Sequence, residues 1–290
     1  MSTQPPSFLR TISLTAVTMI FFAANSILAR LALRSGEIDG GSFTAIRIFS
    51  GAIVLAILVG VRAGLGGLRS NGSWRAAWAL FGYAIAFSLA YLSLNAGTGA
   101  LILFGSVQIT MITAGIARGD RPGSAEWTGL VAALAGLVYL VSPGLTAPPF
   151  TGAALMTAAG VGWGFYSLAA RGVRLPIETT AGNFVRSAPM AAAPLLAFWI
   201  MGRSHAGLNG IALAVISGAL TSGLGYAIWY TALRGLTTSQ AAIVQLTVPV
   251  IAGAAGVVFL AEQLTLRLVV AAVAILGGVA LALAGRRRRV

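Results

Sequence analysis

An all-α integral membrane fold, with ten transmembrane helices in two inverted five-helix repeats around a central cavity, is what this sequence predicts. Three observations carry that expectation. Apolar runs of bilayer length recur along the whole chain, the basic residues sit in the gaps between them, and matching residues recur in the same order in the two halves. Of 290 residues, 58% are hydrophobic and only 9% charged, too little polar surface to coat soluble domains. Hydrocarbon about 30 Å thick asks for about 20 apolar residues per helix. Such runs begin at Thr11 and continue almost to the C-terminus, leaving nothing for a soluble domain.

The spans expected in order are Thr11 to Leu33, Gly41 to Val61, Trp74 to Leu94, Thr98 to Ala117 and Ala125 to Val141 in the first repeat (1–145). Phe150 to Ala170, Thr179 to Met201, Leu208 to Leu233, Thr237 to Leu260 and Leu266 to Leu283 make up the second (146–290). Turn-forming residues fall between them: Gly40-Gly41, Gly64 to Gly67, Asn95 to Gly97, Pro122-Gly123, Pro143 to Pro149 and Pro176. The stretch Thr11 to Ala29 has the look of a signal peptide, but its pattern recurs in mid-chain, so it reads as part of the folded unit.

The net charge of +13 comes from 19 basic residues, all of them arginine. With the N-terminus cytoplasmic, Arg10, Arg62, Arg69, Arg75, Arg118, Arg121, Arg171, Arg174, Arg234 and Arg286 to Arg289 lie inside, and only Arg30, Arg34, Arg203 and Arg267 lie outside. The positive-inside rule therefore predicts both termini in the cytoplasm. The terminal arginine run then meets an anionic inner leaflet rather than nucleic acid.

Set against each other, the halves align FAANSILAR at Phe22 to Arg30 with WGFYSLAAR at Trp163 to Arg171. Arg47 pairs with Arg186, Tyr91 and Leu94 with Tyr230 and Leu233, and Val107 to Thr110 with Val244 to Thr247; a small register shift brings Asp120 over Glu262. An odd number of spans per half inverts the second against the first. Inverted repeats supply two near-equivalent packings that exchange access to a central site.

These features, with Gly162-Trp163-Gly164 in the first helix of the second half and Ala261 to Thr265 closing its fourth, resemble the drug/metabolite transporter superfamily. The likeness is to its ten-helix branch of bacterial inner-membrane exporters, and most of all to the aromatic amino acid exporters. Phe22 in place of a tryptophan, and the lack of a first-half match for Pro249, depart from that pattern. The resemblance implies alternating-access export of small neutral or zwitterionic solutes, such as amino acids with aromatic or hydrophobic side chains, across the cell inner membrane. Carriage of anionic metabolites by Arg47 and Arg186, or a pore, are the alternatives. The expected partners are the solute and the lipid bilayer, with a monomer sufficient because duplication already supplies both halves.

Candidate site residues follow from what the bilayer penalises. An amide or hydroxyl within hydrocarbon must meet protein, water or substrate. On this ground Asn25, Gln108 and Gln245 are expected to bind solute, with interhelical hydrogen bonding as the alternative; Ser26, Thr110, Thr221, Ser222 and Thr247 read as interhelical. Tyr83, Tyr91, Trp163 and Tyr166 are the expected aromatic wall, Trp163 because it projects between glycines. Trp74, Trp78, Trp127 and Trp199, near span ends, read as interfacial anchors, while belt and gate readings compete for Tyr226, Trp229 and Tyr230. Arg47 and Arg186 enter their spans as gating or substrate-charge candidates. They are also able to snorkel, and Arg47 to pair with Glu37 or Asp39. The glycine pairs Gly60 with Gly64, and Gly160 with Gly164, read as helix contacts.

Enzyme chemistry is disfavoured. The chain has no cysteine and a single histidine, His205, in a predicted outer loop, so neither a thiolate nucleophile nor an intramembrane metal cluster is available. No cofactor is expected. Without a carboxylate near any midplane, export of polyvalent cations is disfavoured too.

Overall fold

The computed structural model describes residues 8–63, 71–117, 123–142, 144, 147–170, 173–236 and 238–287. Gly64, Arg69, Arg118, Asp120, Arg121, Pro122, Pro143, Arg171, Thr237, Arg288 and Arg289, all used in the sequence reading, lie outside them. The described chain is helical in the order α1 (Phe8–Arg34), α2 (Gly40–Ala63), α3 (Trp74–Tyr91), α4 (Ala96–Ala117), α5 (Ser124–Val141), α6 (Phe150–Ala169) and α7 (Pro176–Ile200). There follow α8 (Leu208–Leu233), α9 (Thr238–Gln245), α10 (Thr247–Leu260) and α11 (Leu266–Arg287). Four helices, Phe8–Arg34, Gly40–Arg62, Ala96–Ala117 and Leu208–Leu233, are long and apolar enough to cross a bilayer by length and composition.

Local chemistry sets the ends. The Ser73 hydroxyl accepts from the Ala76 N–H (3.1 Å) to cap α3, and the Asp39 carboxylate accepts from the Ser42 N–H (2.8 Å) to cap α2. The second Asp39 oxygen accepts from the His205 backbone N–H (2.9 Å), binding the α1–α2 turn to the α7–α8 turn. Pro176 opens α7, where its missing N–H costs nothing. Ala261 ends α10 in the left-handed region (φ 51°).

The expected single span Thr237 to Leu260 is instead two helices. Pro249 has no N–H to give the carbonyl of Gln245 four residues back and its ring crowds that carbonyl, so the chain breaks between α9 and α10 at Leu246. A second irregularity lies inside α8, where Ser217–Leu224 is π-wound. The wider turn brings Ser217, Thr221 and Ser222 together on the buried side, and such stretches recur at functional sites.

Neighbouring helices pair reciprocally. α5 lies against α11, α2 against α7 and α4 against α10. α3 packs on α6 while α1 packs on α8, and α4 packs on α6 while α1 packs on α10. Small residues permit the close approaches: a Cβ on Gly160 would meet the Leu103 carbonyl at 2.6 Å and one on Gly164 the Thr110 side chain at 2.9 Å, so the expected glycine pair joins α6 to α4. Another such contact sets Gly218 of the π stretch against the carbonyl of Arg47. Because backbone cannot swing aside, Gly218→Ala should force α2 and α8 apart and lower thermal stability in detergent by about 1–3 kcal/mol. An unchanged midpoint would rule out that packing.

Candidate functional site

The helix centres enclose a cleft lined by Phe22, Asn25, Tyr83, Phe87, Leu103, Phe104, Trp163 and Tyr226. These come from α1, α3 and α4 of the first half and α6 and α8 of the second. Its free space is comparable to one water molecule. The walls are a continuous set of ring contacts. Trp163 lies 5.3 Å from Phe22, 5.1 Å from Tyr83 and 4.6 Å from Tyr226 between ring centroids. Phe22 also stacks with Phe104 at 6.3 Å. Offset and edge-on pairs of this kind are each worth ~0.5–1.5 kcal/mol beyond area burial.

One side of the cleft is polar. Arg47 on α2 is 2% exposed. Its Nε donates to the Ser222 hydroxyl (2.9 Å), and one terminal nitrogen, Nη2, donates to the hydroxyls of Tyr83 (2.9 Å) and Tyr226 (2.7 Å). The guanidinium carbon sits 4.7 Å from the Phe87 centroid and 5.1 Å from that of Tyr83. Desolvated contacts of this type stabilise a cation by ~2 kcal/mol. The other terminal nitrogen, Nη1, is buried without a hydrogen-bond partner among the described residues. Neither expected escape for this charge holds. Arg47 does not snorkel, and Asp39 is already occupied in capping α2 and holding His205, so no ion pair forms there. The only described salt bridge joins Arg30 to Glu262.

Asn25 organises the remainder. Its Oδ1 accepts from Ser217 (2.7 Å) and Thr221 (3.1 Å) in the π stretch, and its Nδ2 donates to the Tyr83 hydroxyl at 3.3 Å. The Tyr226 hydroxyl donates to that same oxygen at 2.9 Å.

Of the residues expected from sequence, Asn25, Tyr83 and Trp163 line the cleft. Gln245 stands behind it, its Oε1 accepting from the Trp163 indole N–H at 3.3 Å. Tyr166 backs Trp163 at 5.4 Å and accepts the Tyr230 hydroxyl on its carbonyl at 3.2 Å. Gln108 is buried on α4 but off the wall. Tyr91 lies away from the cleft at the end of α3, beneath Arg30, where the α3–α4 turn carries it off. Arg186 does not join Arg47: its Nη1 donates to the carbonyls of Asn71 (2.7 Å) and Gly182 (2.9 Å), binding α7 to the segment before α3. Sequence reasoning missed Phe22, Phe87, Leu103 and Phe104, since an apolar residue in an apolar span carries no polar signal. Phe22 alone had one, being the repeat counterpart of Trp163. Tyr226, Trp229 and Tyr230 are all buried, which removes the membrane-belt reading, whereas Trp74, Trp78, Trp127 and Trp199 are exposed.

A lipid-suited helical bundle with an enclosed aromatic and polar cleft, walled from both halves of the chain, defines a multi-pass membrane protein that handles a small solute. The family comparison gives that class its place. The model of the EamA-like transporter family matches residues 150–284. The chain is 51% identical over 280 residues to the uncharacterized protein PA1977 of Pseudomonas aeruginosa, covering 97% of this chain and 96% of that relative. A solved crystal structure shares the fold at a TM-score of 0.66 and 23% identity, covering 95% of this chain and 99% of the other. The chain belongs to the EamA-like transporter family of the drug/metabolite transporter superfamily.

Proposed function

We propose that this protein is an alternating-access carrier that exports small solutes with aromatic or other hydrophobic bodies, amino acids among them, across the bacterial inner membrane. The observation that carries the reading is the aromatic cleft itself. Its walls are split between the halves, Phe22, Tyr83 and Phe104 facing Trp163 and Tyr226, so a solute held there touches elements able to move against one another.

The reciprocal helix neighbours support the inverted-repeat architecture. Matching the first five helices to α6, α7, α8, α9 with α10, and α11, the contacts of α1 with α8 and α10 and of α2 with α8 have their counterparts with the halves exchanged, in α3 and α4 with α6 and in α3 with α7. On this reading α9 and α10 together make one crossing, ten in all, with both termini cytoplasmic. Exposed apolar side chains along α5 and α11, such as Val131, Val138 and Val273, face lipid.

The test is transport by purified protein in liposomes. Saturable uptake of radiolabelled aromatic solutes, accelerated by unlabelled solute preloaded on the opposite side, is the expected result. Unsaturable flux or a standing conductance would point to a pore instead.

A further inference from the structure

We propose that Arg47, with Tyr83, Tyr226 and Asn25, is the carboxylate-recognition end of the cleft, and that the solute is a small monocarboxylate with an aromatic or branched apolar body. This deepens the carrier reading above and rests on it.

Three observations converge. First, arginine stays protonated in a protein, yet the hydrogen bonds Arg47 donates to the described residues end on neutral hydroxyl oxygens, those of Ser222, Tyr83 and Tyr226. The described carboxylates are engaged or placed elsewhere: Asp39 and Glu262 are hydrogen-bonded at turns, Glu37 lies beside Gly207 and Glu178 opens α7. Among the described residues nothing anionic stands beside this positive charge deep in the bundle, an arrangement that an incoming anion would neutralise. Second, one terminal nitrogen of that guanidinium has no partner. Third, the phenols that Arg47 holds are themselves wall residues. The Tyr83 oxygen, on the cleft wall, lies within hydrogen-bond distance of Arg47 (2.9 Å), Tyr226 (2.9 Å) and Asn25 (3.3 Å), so these groups converge on one point of the lining. Phenols and amide form a polar end of the lining beside the rings of Phe22, Phe104 and Trp163, and the Arg47 cation stands directly behind the two phenols, one layer from the cleft.

The charge count selects the ligand. A single cation beside the cleft, with Arg186 held on backbone carbonyls elsewhere, matches a monoanion and not the doubly charged head of a phosphate ester. Among the described residues no acidic side chain lines the cleft, so the ammonium of a zwitterion meets ring faces and the neutral Asn25 there. A deaminated aromatic acid should therefore be carried at least as well as the corresponding amino acid.

The experiment compares 3-phenylpropionate, 3-phenylpropionamide and phenylalanine as competitors and as labelled solutes in proteoliposomes. The acid is expected to half-saturate at a concentration about tenfold or more below that of the isosteric amide. Arg47→Gln should abolish this preference by weakening the acid alone, and Arg47→Lys should restore part of it. Equal handling of acid and amide by the unmodified protein, or a preference that survives Arg47→Gln, would overturn the proposal and make Arg47 a strut between α2, α3 and α8. The carrier reading would stand in either of those cases. Failure of all three solutes to move saturably would instead remove the carrier reading, and this inference with it. Should Arg47→Gln not fold, the acid-to-amide ratio of the unmodified protein decides.

Discussion

Arg30→Ala should be among the most destabilising single charge changes in this protein, lowering its unfolding free energy in detergent by about 3–5 kcal/mol. The reason is what it abandons. Arg30 Nε lies 3.4 Å from Glu262 Oε1, with the two side chains only 9% and 6% exposed. The same guanidinium donates to the carbonyl of Tyr91 (3.0 Å) and to Asn95 Oδ1 (3.3 Å). One side chain thus holds the end of α1 to the α3–α4 turn and to the turn after α10. Without it Glu262 stays buried, its charge offset only by hydrogen bonds from the Ala96 N–H (3.0 and 2.8 Å). Glu262→Gln should cost less, because the neutral amide oxygen can still accept from Ala96, and the pair Arg30→Met with Glu262→Gln should recover most of the loss. A double-mutant cycle of thermal unfolding reads the coupling directly. If Arg30→Ala unfolds within about 1 kcal/mol of the parent, the ion pair does not hold this end of the bundle.

That contact also bears on mechanism. Arg30 and Arg34 come from the first half, while Glu262 and the Leu260 carbonyl that accepts from Arg34 (3.1 Å) come from the second. A carrier that opens at this end has to part them. On the alternating-access reading proposed above, a weakened pair should therefore favour opening at this end even where folding survives.

The sequence placed most helix ends within a few residues because prolines and glycines are local signals: Pro149 before α6 and Pro176 at the start of α7 each act on backbone within one turn. The break at Leu246 was written in Pro249, but an apolar run hides a break when both pieces remain apolar. The π winding of Ser217–Leu224 had no comparable mark, since it depends on what α8 packs against. Site residues divided along the same line. Asn25, Tyr83 and Trp163 were legible because a polar or amphipathic group in hydrocarbon needs a destination. The depth of Arg47 was not, since two turns from a helix end is also snorkelling distance, and only tertiary packing decides between them. Phe22 shows a subtler signal. The repeat register sets it over Trp163, and the two rings meet edge to face at 5.3 Å.

Trp163→Ala is expected to reduce transport of aromatic solutes at least tenfold while leaving the protein folded but weakened. Its indole touches Phe22, Tyr83, Tyr166 and Tyr226, and its N–H is held by Gln245 next to the break between α9 and α10. Truncation removes the surface shared by all the other walls, and large-to-alanine changes at buried aromatic sites cost ~3–5 kcal/mol in proteins. Part of that cost should return when a bulky solute fills the void, so solute should raise the unfolding midpoint of Trp163→Ala more than that of the parent. Trp163→Phe separates ring from hydrogen bond. If the ring is the recognition surface, the phenylalanine variant keeps most of the flux; if the bond to Gln245 sets the position of α9, it loses nearly as much as alanine does. Normal flux through Trp163→Ala would mean that solute takes another path through the bundle, and the cleft would then be only the packed centre of the fold.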